Sequence, residues 1–468
     1  MATRLYSLGA AEEVTGSRHI LEHDHNRFMI DCGAFQGRRD EAEEKNRNWK
    51  LDNEGLDAVV VTHAHFDHCG LVPLLRQKGY EGNIYSTSAT RDLASLIMMD
   101  SAHIQAKDIE YLAKKARKKG QPFDRQPLYN EKDVLKSLES FVTCSYHRDL
   151  PLADGVKVNF YDAGHIMGSA LPVFEIKQNG NPPLKICIGG DLGRNNLPII
   201  RDPEPLPDLD YLVIESTYGN RLHDNINMST EKLADVVNRT YQRGGKIIIP
   251  SFALERTQEI VFYLHLLVDQ QRIPKLPVYV DSPMATNATA IFRVHQECYD
   301  DATRQMFIDH HKNPFGFNEL RYVTNVEESK ALNDIHDPII IISSSGMCEA
   351  GRILHHLANN IQNPKNTILI VGYMAENTLG RKILEKQPQV KIFDEMYKLK
   401  SEVVVLNTFS AHADYEDILE YIEPLDRNRL KRIFLVHGEP KAQQNLKTLL
   451  EEKGRPTTII RYGEIYDL

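Results

Sequence analysis

Residues 59–70 read VVVTHAHFDHCG, and no other stretch constrains the chain as tightly. Val59, Val60 and Val61 end an apolar run of strand length. His63, His65, Asp67 and His68 follow at once, and GLVPLLRQ then starts a helix. On an extended backbone His-x-His puts both imidazoles on one side, because side chains alternate with period 2. The turn after it carries Asp67 and His68 round to a second centre. Imidazole and carboxylate together suit a borderline divalent cation, most often zinc.

The apolar strand before these residues belongs to a pattern that runs through the chain. Strand-length runs alternate with amphipathic helical stretches: RFMIDCG, DAVVVTH, KVNFYDAGH, LKICIGGD, YLVIESTYG, GKIIIPSFA, PVYVDS, PIIIISSSG, TILIVGY, EVVVLNTFSAH and RIFLVHGE. This is an α/β pattern. Asp31, His63, His165, Asp191, Glu215, Ser343, His412 and His437 fall at or just past the carboxyl ends of these runs. In open α/β sheets, ligands bind beyond those ends. At 468 residues the chain exceeds one ordinary core, so two or three domains are expected. The proline-rich stretch around 200–208 reads as a linker. A long helix is expected over residues 90–120. Its basic end, KKARKK, reads first as a solvated helix terminus favoured by the macrodipole, with an RNA-backbone contact as the alternative.

Four ligands within six residues cannot close two catalytic metal sites, since each ion needs three or more protein donors. The strand-end residues supply the remainder. One site is expected from His63, His65, His165 and Asp191. The other is expected from Asp67, His68, Asp191 and His437, with Asp191 bridging. Asp31 in IDCG is expected to orient a ligand histidine from behind.

Composition narrows the class further. With 41% hydrophobic and 26% charged residues the chain reads as a soluble globular protein, not a disordered one. No apolar run is long enough to span a membrane, and the N-terminus has no apolar signal-peptide core. The six cysteines lack paired spacing and form no C-x-x-C, so a reducing cytoplasm is expected and a cysteine metal site is not. A net charge of −9 argues against coating nucleic acid by bulk electrostatics but not against a nuclease. Bound divalent cations would reverse the local field where a phosphate must sit.

THAHFDH resembles the signature of the metallo-β-lactamase superfamily, whose members include lactamases, thioesterases and nucleases. IDCGAFQG, DAGHIMGSA, GGDLG, ESTYG, SFALERTQE, DSPMA, SSSGM, FSAHAD and LVHGE occur in the order found in the β-CASP nucleases, which the chain resembles. That family includes the pre-mRNA 3′-end-processing endonuclease and its archaeal and bacterial relatives, and this chain looks most like the compact bacterial type. The resemblance implies an αββα sandwich over residues 1–208 and 400–468, with an α/β β-CASP cap domain inserted over 209–399. It matches the family's extra acidic residue to Glu215, its next motif histidine to His412 and its last to His437. A histidine at the last position is typical of the RNA-cleaving branches.

The expected activity is hydrolysis of RNA phosphodiester bonds, internally, leaving 5′-phosphate and 3′-hydroxyl ends. Asp67, Glu215 and His412 are the expected catalytic residues, with His412 as general acid to the leaving oxygen. The expected cofactors are two zinc ions per chain, with manganese as the alternative, and the expected partner is single-stranded RNA. No membrane partner is expected, and a homodimer fits the sequence. The run IIIISSSGMCEAGR reads as a strand, a turn, then a helix beginning near Glu349. Ser343, Ser344, Ser345 and Gly346, with Arg352 and His355, are its candidate phosphate-binding residues. The rival readings are a 5′-to-3′ exoribonuclease, a DNA nuclease and a small-molecule esterase or thioesterase on the same metals.

Overall fold

The computed structural model describes the chain apart from residues 1–2, 38, 49–54, 179, 224–225, 311–312, 373, 375–376 and 407–409, and apart from the side chains of 39, 226–229 and 307–310. Two compact units account for it. Residues 1–196, 201–222 and 411–468 form the first, and 197–200 with 223–410 form the second.

The first unit contains two seven-stranded sheets. One runs in spatial order Tyr466–Asp467, Thr3–Ser7, His19–His23, Asn26–Ile30, Ala58–Val60, Asn83–Ser86 and Phe141–Thr143. The other runs Thr457–Ile459, Arg432–Val436, Tyr211–Glu215, Asn181–Ile188, Ala170–Gln178, Val156–Asp162 and Leu150–Ala153. Alternation along the strands decides which face each residue buries. Phe28, Ile30 and Val60 of the first sheet meet Val158, Phe160, Phe174 and Ile186 of the second in a shared core. The intervening residues Leu171, Val173, Leu212 and Ile214 point the other way. They pack under Ile418, Ile422, Leu446 and Leu450 of the helices Tyr415–Ile422 and Pro440–Glu452. The helices Val72–Gln77, Ser88–Lys118 and Glu131–Leu138 pack on one another, and the long one reaches strand Phe141–Thr143 of the first sheet. The order of layers is αββα, the metallo-β-lactamase fold.

The second unit is built on an all-parallel sheet of six strands: Leu320–Tyr322, Val278–Val280, Ile340–Ser343, Ile247–Pro250, Thr367–Ile370 and Glu402–Val405. Its two central strands, Ile340–Ser343 and Ile247–Pro250, are isoleucine runs because both faces are covered. Ile247, Ile249, Ile340 and Ile342 pack against Leu233, Val237, Ile260 and Leu264. Ile248, Ile341, Ile368 and Ile370 pack against Ile353, Leu357 and Ile383.

Every strand expected from the sequence is present. The crossings between units differ from the expected 208/209 and 399/400. Strand Tyr211–Glu215 stays in the first unit because it pairs in parallel with Asn181–Ile188 on one side and Arg432–Val436 on the other. Strand Glu402–Val405 belongs to the second because it pairs with Thr367–Ile370. From residue 201 onward, the stretch expected as a linker is a packed loop of the first unit. There Arg201 meets Asp162 at 2.8 Å and the Tyr421 hydroxyl donates to the Glu204 carbonyl at 2.6 Å. The helix expected near Glu349 begins at Ile353, after an irregular turn.

Candidate metal centre

The ligand loop follows strand Ala58–Val60, stays extended to His65, and then closes into the short helix Phe66–Cys69. Backbone bonds pin it. Ser17 N donates to the Asp67 carbonyl and Cys32 N to the His68 carbonyl, both at 2.8 Å. Gly33 makes this approach possible, because a Cβ there would fall 1.6 Å from the Asp67 carbonyl oxygen. Asp31, at the end of strand Asn26–Ile30, accepts from the Thr62 amide and hydroxyl, each at 2.8 Å. Asp31 and His437 both sit at left-handed φ, 61° and 48°. Non-glycine residues carry strain there, and such strain clusters at functional sites.

Side chains from residues 63–68, from His165 and from His437 converge on Asp191. Its Oδ2 lies 3.5 Å from His63 Nε2 and 3.4 Å from His165 Nε2. His65 Nδ1 lies 3.1 Å from His63 Nε2 and 3.2 Å from His165 Nε2. Asp191 Oδ1 lies 3.4 Å from His68 Nε2 and 3.4 Å from His437 Nδ1, while His437 Nε2 lies 3.4 Å from Asp67 Oδ2. His63, His65, His165 and Asp191 form one group with metal-ligand spacing, and Asp67, His68 and His437 form another. Asp191 turns one carboxylate oxygen toward each.

The donors fit a pair of divalent cations. Ligand atoms about 2.1 Å from a tetrahedral zinc stand about 3.4 Å from one another, the spacing found here. His68 Nε2 and Asp191 Oδ1 are buried with no hydrogen-bond partner. A buried polar atom in that state costs free energy unless something satisfies it.

Other groups hold the histidine rings. Asp31 Oδ2 takes His68 Nδ1 at 2.6 Å, the Ala411 carbonyl faces His165 Nδ1 at 3.3 Å, and Thr217 Oγ1 faces His437 Nδ1, the atom that also lies toward Asp191, at 3.0 Å. Such partners fix ring orientation and tautomer. Burial, with the charge on His68, pushes His63 well below its ordinary range, and burial pushes His65 down to about 4. His165 is also depressed, by burial and by the charge on His412. Burial opposes charge on His68 too, but the carboxylates of Asp191 and Asp31 outweigh it and hold that ring well above its usual value.

His412 lies in the segment before helix Tyr415–Ile422, farther past strand Glu402–Val405 than expected. Its Nδ1 faces both oxygens of Glu215 at 3.1 Å and Asp191 Oδ2 at 3.7 Å. Burial disfavours its charge, yet Glu215 and Asp191 raise it to about 9. With His165 and Asp191, these two residues make a third group with ligand-like spacing.

The expected phosphate cradle is not built as an open set of donors. The Ser343 hydroxyl donates to the Asp281 carbonyl at 2.9 Å, and that of Ser344 to Ser282 Oγ at 2.7 Å. Ser345 Oγ accepts from Glu349 N at 3.1 Å, and Gly346 backs onto the Phe252 ring. Arg352 is spent on Asp281 Oδ1 at 2.6 Å and on the carbonyls of Val323 and Thr324. His355 is exposed against Phe393. Sequence reasoning missed the reason, which is Asp281 in DSPMA. Its buried carboxylate takes Arg352, His356 and Ser329, each at 2.6 Å. Thr62 and Thr217 were missed as well. Each lies inside a motif already singled out, Thr62 just before His63 and Thr217 two residues past Glu215, and that proximity was the available signal.

Three family models match the chain: the metallo-beta-lactamase superfamily over residues 16–191, the Beta-Casp domain over 257–383, and the Zn-dependent metallo-hydrolase RNA specificity domain over 396–460. The chain belongs to the β-CASP family of metallo-β-lactamase-fold ribonucleases. It is 33% identical to Ribonuclease TTHA0252 of Thermus thermophilus over 463 residues, covering 98% of this chain and 99% of that protein. It is 32% identical to transcription termination factor FttA of Methanosarcina mazei over 464 residues, covering 96% of this chain and 69% of that one. A crystal structure of a protein of unknown function from Enterococcus faecalis shares the fold, with TM-score 0.56 at 12% identity and full coverage of both chains.

Proposed function

We propose that the protein is a two-zinc endoribonuclease that hydrolyses single-stranded RNA to 5′-phosphate and 3′-hydroxyl products. The observation that carries this reading is Asp191, which turns Oδ2 to His63 and His165 and Oδ1 to His68 and His437. One ion would be held by His63, His65, His165 and Asp191, the other by Asp67, His68, Asp191 and His437. When bound, such a pair neutralises phosphate charge and acidifies water.

The chain's own residues do the rest. Asp31, Ala411 and Thr217 fix the ligand rings in place. Glu215 holds His412 protonated at neutral pH, with Nδ1 turned to the carboxylate. His412 then gives the proton on Nε2 to the departing 3′-oxygen, and Glu215 stabilises the donor throughout. A small-molecule hydrolase on the same metals would have no use for this buried acid pair.

The test is cleavage of 5′-labelled single-stranded RNA by zinc-loaded protein, resolved on a sequencing gel beside matched DNA. Labelled fragments of several intermediate lengths, from RNA and not from DNA, are expected. Labelled mononucleotide alone would replace the endonuclease with a 5′ exonuclease.

A further inference from the structure

The helix Ser88–Lys118 is 31 residues long, which gives it a length of about 45 Å. Its first turn is built into the metal centre's surroundings: the hydroxyls of Thr87 and Thr90 both donate to the Gly168 carbonyl, in the loop that carries His165. Its far half leaves the core. The last fully buried side chain is Ala102, and beyond it the helix carries one exposed face.

That face has a definite composition. At 100° per residue Ile104, Lys107, Tyr111, Lys114, Lys115 and Lys118 fall within one arc, joined by Asp108. Ile104 is 50% exposed and Tyr111 is 64% exposed. Lys114 pairs with Glu110 one turn back. Four lysines thus flank an exposed aromatic ring on a chain whose net charge is −9. The macrodipole explains cations in the last turn only, since its effect fades within that turn. It does not explain Lys107, nor an aromatic ring left in water between lysines. Cations that track a phosphate backbone, interleaved with a ring on which a base can stack, are the chemistry of single-stranded nucleic-acid binding.

We infer that this face of the helix is a distal docking strip for the sugar-phosphate backbone of the RNA substrate, roughly 25–45 Å along the helix from the metal-centre loop. The inference rests on the ribonuclease reading and deepens it: a long RNA is held at the strip as well as at the metals, and a short one only at the metals. Affinity then depends on substrate length.

The test compares the zinc-loaded wild type with a variant carrying Lys107→Gln, Lys114→Gln, Lys115→Gln and Lys118→Gln, and separately with Tyr111→Ala. Each protein is given a long unstructured RNA and an oligonucleotide too short to span the helix. Binding of the same RNAs is measured by fluorescence anisotropy in chelator across a salt series. The lysine variant should raise KM for the long RNA by about tenfold or more and flatten the salt slope by roughly 0.7 per lost phosphate contact. Its kcat and its KM for the short substrate should match the wild type, and Tyr111→Ala should weaken long-RNA binding without changing that slope. Equal KM and equal salt slopes for the long RNA would overturn the strip and leave an ordinary solvated helix end. A parallel loss on the short substrate would overturn it too, because the effect would not be distal. If the wild type cuts neither RNA, the ribonuclease reading fails, and the anisotropy comparison still decides whether the strip binds RNA.

Discussion

His412 Nδ1 lies 3.1 Å from both carboxylate oxygens of Glu215. A histidine held this way keeps its proton through neutral pH, and burial with Glu215 and Asp191 beside it sets the value at about 9. The rate should therefore fall on the alkaline side of its pH profile, because the acid is lost there. In Glu215→Gln the carboxylate's support is gone, and the alkaline limb of the kcat profile should move to lower pH. A limb that stays in place would remove Glu215 from this role.

The same pair shares ligand-like spacing with His165 and Asp191, so metal content separates donor from ligand. His412→Ala should leave both ions bound and lower turnover by roughly 10²-fold or more, the usual scale for general acid catalysis. Elemental analysis of the variant beside a single-turnover assay reads both quantities. Loss of an ion with the histidine would make His412 a ligand.

Much of this centre was legible from the chain. His63, His65, Asp67 and His68 lie within six residues, and the extended backbone followed by a turn separates them into two groups. The distant members of the cluster, His165, Asp191 and His437, could be brought into it because each ends an apolar run. The isoleucine strands of the second unit were equally plain, since burial on both faces leaves no alternation to misread. The unit boundaries were harder. Tyr211–Glu215 reads like any strand, and only its pairing with Arg432–Val436 assigns it to the first sheet. The surroundings of the serine run were not legible, for a physical reason. Hydroxyls at a strand-turn look like anion donors, but Asp281 draws Arg352 and His356 inward, and Ser343 and Ser344 bond to the neighbouring segment at 281–282.

That arrangement predicts a division of effects. Asp281→Ala leaves Arg352 and His356 without their carboxylate in a closed environment. Breaking a buried pair in this way costs about 3–5 kcal/mol, here toward the lower end because Arg352 is 20% exposed. Ser343→Ala removes one neutral hydrogen bond and should cost about 1 kcal/mol. Chemical denaturation of each variant measures both, and Ser343→Ala should leave KM for RNA unchanged. A raised KM with unaltered stability would restore Ser343 as an RNA contact.

Asp31 offers a gentler perturbation of the metals. It touches His68 and Thr62 and stands behind the ligand ring. Asp31→Asn keeps the shape and loses the charge-assisted bond to His68 Nδ1. Removing such a partner weakens metal affinity by about 10- to 100-fold. Competition against a chromophoric chelator should show one of the two ions weakened, the one held by His68. Equal weakening of both would mean that Asp31 supports the loop as a whole.

The metal-free protein should respond to pH in a way that the loaded protein does not. His63, His65 and His165 are neutral in the fold, with His65 down at about 4, whereas in the unfolded chain a histidine titrates near 6.5. Between those values the unfolded state binds more protons, so stability is whole above about 6.5 and drains away as pH falls toward 4. His412 has the opposite sign. Its raised value adds stability that is complete below 6.5 and is lost as pH rises through about 9. His68 is also charged in the metal-free fold and must give up its proton to coordinate. Zinc titration at neutral pH should therefore release protons, seen as binding heats that change with the ionisation enthalpy of the buffer. The Asp31→Asn variant, with His68 less firmly protonated, should release fewer. Buffer-independent heats in the wild type would mean that His68 is already neutral before the metal arrives.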